Sequence, residues 1–348
     1  MRGRPIPRAS SWQRRRARRR SRSSSGCGAS SASSSSTSRS PGWRRSASRS
    51  GRCTRTATSI GSPTRSRGPS RAPCAERTDP FAIVSAVALL SGQVAIVTGA
   101  GRGLGRAVSE TLAALGASVV LASRNAPELD EVVKGIKRSG GHALAQTADV
   151  ADERQIQDLA LATARWVGPA SILVNCAGMV DPMAPLARSD AALWLRNIAI
   201  NVGGTYLPIR AVLPGMLDRG AGRIVNISSG SATRPSAGWT AYSAAKAAVV
   251  QLTRSLALEV EGTGVTACAF NPGAMDTDMQ ERIRRTASSD FPRADEYREA
   301  AREGRLIDPK APARAIAYLV LPSTQRNGQV LQYDDDQLRS AVESALPG

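Results

Sequence analysis

The glycine-rich segment 98–105, TGAGRGLG, constrains the fold of this chain more than any other feature. It follows the apolar run 93–98, which is typical of a buried strand, and it precedes a predicted helix over 106–115. Glycines in such a place let the backbone turn sharply and approach a pyrophosphate at the positive helix N-terminus. A plain glycine-rich turn is the alternative, but the strand–turn–helix context favours a dinucleotide-binding loop. The loop residues expected at the ligand are Gly99, Arg102, Gly103, Leu104 and Gly105.

Short apolar runs and helical segments alternate along the rest of the chain. The sequence predicts strands over 93–98, 118–122, 143–146, 171–175, 223–227, 265–270 and 329–332. It predicts helices over 106–115, 128–138, 152–167, 190–217 and 240–260. This order and the continuous apolar strands indicate an α/β fold: one Rossmann-type, doubly wound parallel sheet of about seven strands with helices on both faces.

The positive charge of the chain is concentrated at its N-terminus. Residues 1–80 hold 20 of the 47 basic and two of the 28 acidic residues, so about +18 of the net +19 belongs to this segment. With little apolar surface to bury, it is expected to be a disordered, basic, low-complexity tail. Residues 90–340 are expected to form the catalytic domain. Because that domain is nearly neutral, no nucleic acid is expected to bind it.

The origin of the tail has three alternatives. It resembles an organellar transit peptide, which is Ser- and Arg-rich and poor in acids. It also has the charge of an RNA-binding arm. A third explanation is a mis-assigned translation start. We expect a cytoplasmic protein, or an organellar one if the tail is a transit peptide. The longest apolar run, 81–90, is about half the length of a membrane span, so none is expected.

Cysteine and histidine are sparse. Three of the five Cys lie in the tail, at Cys27, Cys53 and Cys74, and His142 is the single His. There is no CxxC pair, so neither a zinc site nor a disulfide framework is expected.

The end of the second strand predicts the cofactor. An acid there would accept hydrogen bonds from the ribose of NAD and repel a 2′-phosphate. This chain has Ser123 followed by Arg124, and Arg102 lies in the glycine loop. Two guanidiniums near the ribose favour a phosphate, which Arg binds in a bidentate manner. The sequence therefore predicts NADP(H), with solvated surface arginines as the alternative.

Two side chains in the segment YSAAK predict acid–base chemistry. Tyr242 and Lys246 lie four residues apart, on one face of a helix. A nearby ammonium and the positive charge of oxidised nicotinamide are expected to lower the pKa of the phenol, so that Tyr242 exchanges a proton with substrate near neutral pH. Ser229 follows a predicted strand 13 residues earlier, where its hydroxyl can hold the substrate oxygen.

These motifs together resemble the classical short-chain dehydrogenase/reductase family, from about Leu90 to Thr277 and more loosely to Tyr333. The resemblance implies a Ser229–Tyr242–Lys246 mechanism in which Asn201 holds a relay water. Lys246 and Tyr242 would also contact the cofactor. Cys176 stands where the family usually has a second Asn, and chemistry is not expected there. The other cofactor contacts that the resemblance implies are Asp149, Val150, Asn175, Ala177, Gly178, Pro272, Gly273 and Thr277.

The resemblance further implies hydride transfer between nicotinamide and a small-molecule carbonyl or alcohol, as in 3-oxoacyl-ACP reductases. It also implies a homo-oligomer, either a dimer or a tetramer. Substrate choice is expected to depend on 230–241, on 179–186 and on a charged helical lid over 274–306. A non-catalytic NADP(H) sensor or scaffold is the alternative. An RNA-binding protein acting through the tail is a more distant one.

Overall fold

A seven-stranded parallel sheet forms the centre of the protein. The computed structural model describes residues 89–346, so the predicted tail over 1–80 lies outside the described residues. The strands are β1 (Val94–Thr98), β2 (Ser118–Ser123), β3 (His142–Thr147), β4 (Ile172–Asn175), β5 (Gly222–Ile227), β6 (Val265–Asn271) and β7 (Val330–Gln332). Their order is β3-β2-β1-β4-β5-β6-β7, which confirms the predicted doubly wound α/β sheet.

Helices cover both faces of this sheet. One face carries α1 (Gly103–Ala114), α2 (Ala126–Arg138), α9 (Lys310–Leu319) and α10 (Asp336–Ala345). The other carries α3 (Glu153–Val167), α5 (Gly204–Arg219) and α6 (Thr240–Glu259). The remaining helices are α4 (Ala191–Ile198), α7 (Asp278–Arg285) and α8 (Ala294–Arg302). Short 3-10 turns span Leu186–Arg188 and Gly230–Ala232.

Alternation along each strand divides the core between the two faces. In β1, Ala95 and Val97 pack with α1 and α2, whereas Ile96 packs with α3 and α5. Successive strand side chains point to opposite faces, so a strand covered on both sides is apolar throughout. All five residues of β1 are buried. This explains why the strands read as continuous apolar runs.

Two predicted helix boundaries were wrong. The helix predicted over 190–217 is α4, a π-helical segment over Ala199–Gly203, and α5. Helix α1 begins at Gly103 rather than at residue 106, inside the glycine loop. Residue 340, the expected end of the domain, lies within α10, and Leu338 and Val342 of this helix are buried in the core together with Leu346.

The order of the strands creates a crevice at one edge of the sheet. The chain winds from β1 toward β3 in one direction and from β4 toward β7 in the other. Thr98 pairs with Asn175, and Asn175 pairs with Asn226, so the strands on either side of the reversal end at the same level. Ligands of such sheets bind at this reversal, beyond the carboxyl ends of the strands.

Within residues 89–346, each helix is too short or too polar to cross a bilayer.

Candidate active site

A cavity of about 1090 Å³ lies along the carboxyl edge of the sheet. Its walls come from the glycine loop, from the ends of β2, β4, β5 and β6, and from α6 and α7. All the predicted site residues line it except Asn175 and Asn201. One cavity therefore contains both the predicted cofactor contacts and the three predicted catalytic side chains.

The glycine loop fits a dinucleotide in its backbone shape. Gly99 and Gly103 have φ of +66° and +52°, which favour glycine. A Cβ on Gly105 would lie 2.1 Å from the carbonyl oxygen of Gly99, so this contact excludes any side chain. Arg102 is the N-cap of α1 and makes no side-chain capping bond, which leaves the first N–H groups of the helix to the cavity. The loop thus has the donors and the open surface that a pyrophosphate needs.

The end of β2 carries charges of both signs. Ser123 and Arg124 line the cavity as predicted. The guanidinium of Arg102 pairs with Asp278 at 2.9 Å, and both side chains are mostly exposed. The carboxylate of Glu128, which sequence analysis missed, lies 2.8 Å from the place where a Cβ on Gly101 would stand. Within residues 89–346, Arg124 forms no ion pair at this end, and its charge helps to lower the pKa of Asp149.

Asp149 is held in place by an ion pair. Burial opposes its ionisation, but the N–H of Ala151 and the guanidinium of Arg196 more than offset this, and the pKa of Asp149 is lowered. The Arg196 Nη2 to Asp149 Oδ2 distance is 2.6 Å. The N-cap of α3 is Asp152 and not Asp149, which frees Asp149 to form part of the cavity wall.

Ser229, Tyr242 and Lys246 converge from two elements. Ser229 follows β5 and caps the 3-10 turn, accepting a hydrogen bond from the N–H of Ser231 at 3.2 Å. Tyr242 and Lys246 are buried on α6, and the Lys246 Nζ lies 5.6 Å from the centroid of the Tyr242 ring. Lys246 donates a hydrogen bond to the carbonyl oxygen of Ile227 at 2.8 Å. The three side chains thus meet where β5 and α6 face the cavity.

Burial sets the protonation of these groups. It raises the pKa of Tyr242 to about 12; the Ser229 hydroxyl opposes the rise and Tyr297 adds to it. Burial also lowers the pKa of Lys246 to about 8. Among the protein's own groups, burial is thus the largest influence on the pKa of Tyr242, and the expected lowering by Lys246 and oxidised nicotinamide stays a prediction. At neutral pH Tyr242 is protonated, which suits it to donate a proton.

The two asparagines outside the cavity wall lie directly behind it. Asn201 is buried in the π-helical segment, where its amide accepts from the N–H of Met179 and donates to the Met179 carbonyl at 2.9 Å. A Cβ on Gly178 would lie 2.8 Å from Asn201 Oδ1 and 3.8 Å from Lys246 Nζ, so both side chains face that glycine. Asn175 donates to Asn226 at 2.9 Å and joins β4 to β5. Asn175 is therefore placed to support the site from within the sheet.

The Pro-Gly turn after β6 lines the cavity at the predicted cofactor site. Gly273 has φ of +79°, and its N–H donates to Asn271 Oδ1 at 3.2 Å. Thr277 caps α7, and its Cγ2 lies 3.2 Å from the place of a Cβ on Gly103. Pro272, Gly273 and Thr277 therefore form part of the cavity wall, and Thr277 lies next to the glycine loop.

The predicted lid over 274–306 is helical and fixed by aromatic packing. Phe291, at the turn between α7 and α8, stacks on Trp239 with centroids 4.4 Å apart. Tyr297 of α8 lies 6.0 Å from Trp239. Sequence analysis missed Trp239 and Tyr297 as cavity residues, although aromatic side chains inside segments predicted to set specificity were an available signal.

Three arginines of the predicted lid are each near an acid of this chain. Arg282 pairs with Asp181 at 3.0 Å, Arg284 lies 3.7 Å from Asp276, and Arg285 pairs with Glu281. Their charge is thereby offset locally.

The model of the family described as short chain dehydrogenase matches residues 93–288. A short chain dehydrogenase of Pseudocercospora fijiensis (strain CIRAD86) is 39% identical over 192 residues, 55% of this chain and 62% of the relative. The 2,3-dihydro-2,3-dihydroxybenzoate dehydrogenase of Bacillus subtilis (strain 168) is 37% identical over 191 residues, 55% and 73% of the two chains. The cis-4-hydroxycyclohexanecarboxylate dehydrogenase of Sinomonas cyclohexanicum is 37% identical over 229 residues, 65% and 88%.

The fold is similar to solved structures of enzymes that reduce carbonyl groups. A variant of actinorhodin polyketide ketoreductase, solved with NADPH, superposes with a TM-score of 0.63 at 33% identity, over 69% of this chain and 95% of that one. Levodione reductase gives a TM-score of 0.65 at 28% identity, over 72% and 98%.

The contact between Gly105 and Gly99 predicts the effect of a single methyl group. In Gly105→Ala the Cβ meets backbone 2.1 Å away, so the loop must move. We expect this variant to lose about 1–3 kcal/mol of stability and to bind NADPH more weakly. The matched control is Gly135→Ala in α2, where a Cβ meets nothing within 4 Å. The free energy of unfolding of Gly135→Ala should be roughly 0.5–1 kcal/mol higher than that of wild type. Thermal unfolding measures the stability of both variants, and calorimetric titration measures their NADPH binding. Equal stability and equal NADPH binding in the two variants would contradict the expected clash at Gly105.

The buried Lys246 predicts a cost to stability. Its pKa is about 8 in the folded protein against 10.5 for an ordinary lysine, so between these values the unfolded chain binds more protons. Stability should therefore rise with pH across that window. Lys246→Met should unfold with a free energy about 1–3 kcal/mol higher than wild type at pH 7, and the gap should close toward pH 10.5.

The matched control is Lys134→Met, at an exposed position of α2. This variant is the control for the loss of one exposed lysine side chain. Urea unfolding at several pH values gives the comparison. A loss of stability at pH 7 in Lys246→Met would show that Lys246 is a structural residue.

Proposed function

This chain belongs to the short chain dehydrogenase family, and from that premise we propose that it is an NADP(H)-dependent oxidoreductase that interconverts a carbonyl group and a secondary alcohol. As a family member it is an oxidoreductase that uses a nicotinamide cofactor. The observation that carries the finer proposal is the convergence of Ser229, Tyr242 and Lys246 on the cavity that the glycine loop also lines.

The catalytic roles follow from burial and hydrogen bonding. When bound, the nicotinamide ring supplies the hydride in reduction or takes it up in oxidation. Ser229 donates a hydrogen bond to the substrate oxygen, and Tyr242 delivers its proton as negative charge develops there. Because the pKa of Tyr242 is about 12, this residue is a proton donor at neutral pH. Oxidation of an alcohol needs the phenolate, which the Lys246 ammonium would stabilise when charged.

Lys246 and Asn201 provide a route for returning the proton. Both side chains face Gly178, and Asn201 is fixed by the peptide groups of Met179. We assign Lys246 the role of exchanging a proton with Tyr242 and Asn201 that of holding the relay. Lys246 would also contact the cofactor ribose. Asn201 lies in a π-helical segment, and such segments are frequent at functional sites, which supports this assignment.

The choice of NADP(H) over NAD(H) rests on the end of β2. Ser123 leaves no carboxylate at the ribose position, and Arg124 supplies a positive charge that no acid pairs with among the described residues. Glu128 opposes a phosphate at this place, so the proposal requires Arg124 to outweigh it. The remaining contacts with the cofactor would be made by Gly99, Gly103, Leu104, Asp149, Val150, Ala177, Pro272 and Thr277.

The substrate is proposed to be a small cyclic ketone or its alcohol. The names of two relatives specify hydroxylated ring carboxylates as substrates, and levodione reductase and a polyketide ketoreductase are structural neighbours. We also propose a homo-oligomer, since Leu195, Tyr206 and Leu258 are large apolar side chains exposed on α4, α5 and α6.

Tyr242→Phe tests the catalytic proposal. NADPH oxidation is followed at 340 nm with ketones, quinones and 3-oxoacyl thioesters. The variant lacks the proton donor, so kcat should fall by about 10²–10⁴-fold while NADPH binding is kept. Tyr318→Phe in α9 is the matched control and should keep its activity. Full activity of Tyr242→Phe, or tight NADPH binding by wild type without turnover of any carbonyl, would contradict the proposal and favour a non-catalytic NADP(H) sensor.

Ser123→Asp tests the cofactor preference. A carboxylate at this position should repel a 2′-phosphate and accept hydrogen bonds from the free ribose hydroxyls. The kcat/KM ratio of NADPH to NADH should fall by about 10-fold or more, the size of a lost charge-assisted hydrogen bond. Ser340→Asp, exposed on α10, is the control for added charge. An unchanged ratio in Ser123→Asp would show that position 123 does not contact the ribose.

A further inference from the structure

Six arginines line the cavity, and most of them are neutralised within the chain. They are Arg102, Arg124, Arg196, Arg234, Arg282 and Arg293. Four of them form ion pairs with carboxylates: Arg102 with Asp278 at 2.9 Å, Arg196 with Asp149 at 2.6 Å, Arg282 with Asp181 at 3.0 Å, and Arg293 with Glu296 at 2.8 Å. Two of the six form no such pair within residues 89–346 and are open to solvent or to a bound anion.

The exceptions are Arg124 and Arg234. Within residues 89–346, neither side chain forms an ion pair with an acid or a hydrogen bond with another residue. A guanidinium stays charged at any pH the protein encounters, so its charge has to be balanced by solvent or by a bound anion. Arg124 lies at the proposed adenosine end, where its charge helps to lower the pKa of Asp149 and where the proposed 2′-phosphate would bind. Arg234 lies at the other end, and its side chain is exposed.

The position of Arg234 is beside the reacting groups. Its Nη2 lies 3.6 Å from the place where a Cβ on Gly230 would stand, next to Ser229. Burial raises the pKa of Tyr297, and the charges of Arg293 and Arg234 oppose that rise, so the Arg234 charge also reaches Tyr297. The guanidinium is therefore located between the Ser229 turn and the wall formed by α8.

The wall beside Arg234 is aromatic. Trp239 and Tyr297 line the cavity, and Phe291 is fully buried behind them. The Trp239 ring lies 5.1 Å from that of Tyr242, which places an apolar surface next to the proton donor. An apolar ring or chain can pack on this surface while its polar groups meet Ser229, Tyr242 and Arg234.

We propose that the substrate carries a carboxylate that binds Arg234, with the reacting carbonyl on Ser229 and Tyr242 and the apolar body on Trp239 and Tyr297. The inference rests on the proposed function and names the substrate class of the same site. Arg binds carboxylates in a bidentate manner with directional hydrogen bonds, so Arg234 would fix the orientation of the substrate as well as its charge. Arg234 is in this sense a specificity-determining residue.

A matched pair of ketones tests the proposal: 4-oxocyclohexanecarboxylate and its methyl ester, which differ in charge at one group. Wild type should show a KM for the acid about 10–100-fold below that for the ester, the range of a charge-assisted hydrogen bond. Arg234→Gln should remove most of this difference by raising the KM of the acid alone. Arg234→Lys should restore part of it, and kcat should change by less than about threefold, since the binding is uniform.

Arg302→Gln, an exposed position of α8 outside the cavity wall, is the control for lost surface charge and should behave as wild type. The proposal is overturned if Arg234→Gln changes the acid and the ester equally. It is also overturned if the variant weakens NADPH binding, because Arg234 would then bind the cofactor. Reduction of 3-oxoacyl-CoA thioesters that depends on Arg234, without preference for the acid over the ester, would assign the guanidinium to a phosphate.

Equilibrium binding separates this proposal from the reductase proposal. In the Tyr242→Phe protein saturated with NADPH, the acid should bind at least about 10-fold more tightly than the ester, and Arg234→Gln should abolish the difference. Such binding without turnover by wild type would support the carboxylate site and contradict the reductase. Turnover of acid and ester with equal KM would support the reductase and contradict the carboxylate site.

Discussion

The parallel pairing of the central strands is the constraint on which the rest of the structure depends. Because β1, β4, β5 and β6 run in one direction and in register, Thr98, Asn175, Ile227 and Asn271 end at one edge of the sheet. The loops that follow them carry the glycine loop, the Ala177–Gly178 segment, Ser229 and the Pro-Gly turn. Residues more than a hundred positions apart thus reach one cavity without any element having to move.

The site places polar groups where the core would otherwise be apolar. Lys246 is buried, and the carbonyl oxygen of Ile227 accepts a hydrogen bond from its ammonium. Asn201 is fully buried in a π-helical turn, and the Met179 peptide and Asn197 satisfy its amide. Burial is also what keeps the phenol of Tyr242 protonated. The apolar surroundings of these groups therefore lower the stability of the fold. They also keep Tyr242 protonated, so that it can donate its proton.

Much of this arrangement could be predicted from the sequence, because its signals are local. Apolar runs and TGAGRGLG indicated the sheet, and the Ser229–Tyr242–Lys246 spacing placed three groups in one cavity. Contacts between distant positions could not be read this way: Arg102 meets Asp278 176 positions later, and Arg282 meets Asp181 101 positions earlier. The spacing of Tyr242 and Lys246 indicated a neighbouring ammonium, but it could not indicate how deeply both side chains are buried or that burial raises the pKa of the phenol. The break at Asn201 interrupts an otherwise helical pattern, which predicted one continuous helix.

The most direct test of hydride transfer follows the hydrogen that moves from the cofactor to the substrate. Wild-type protein is given a cyclic ketone and NADPH that carries deuterium at both hydrogen positions of nicotinamide C4, and the alcohol product is analysed by mass spectrometry and NMR. We expect one deuterium on the carbinol carbon of the product and a primary isotope effect on kcat/KM. A product alcohol without deuterium, or deuterium found only in solvent, would contradict hydride transfer at the site formed by Ser229, Tyr242 and Lys246.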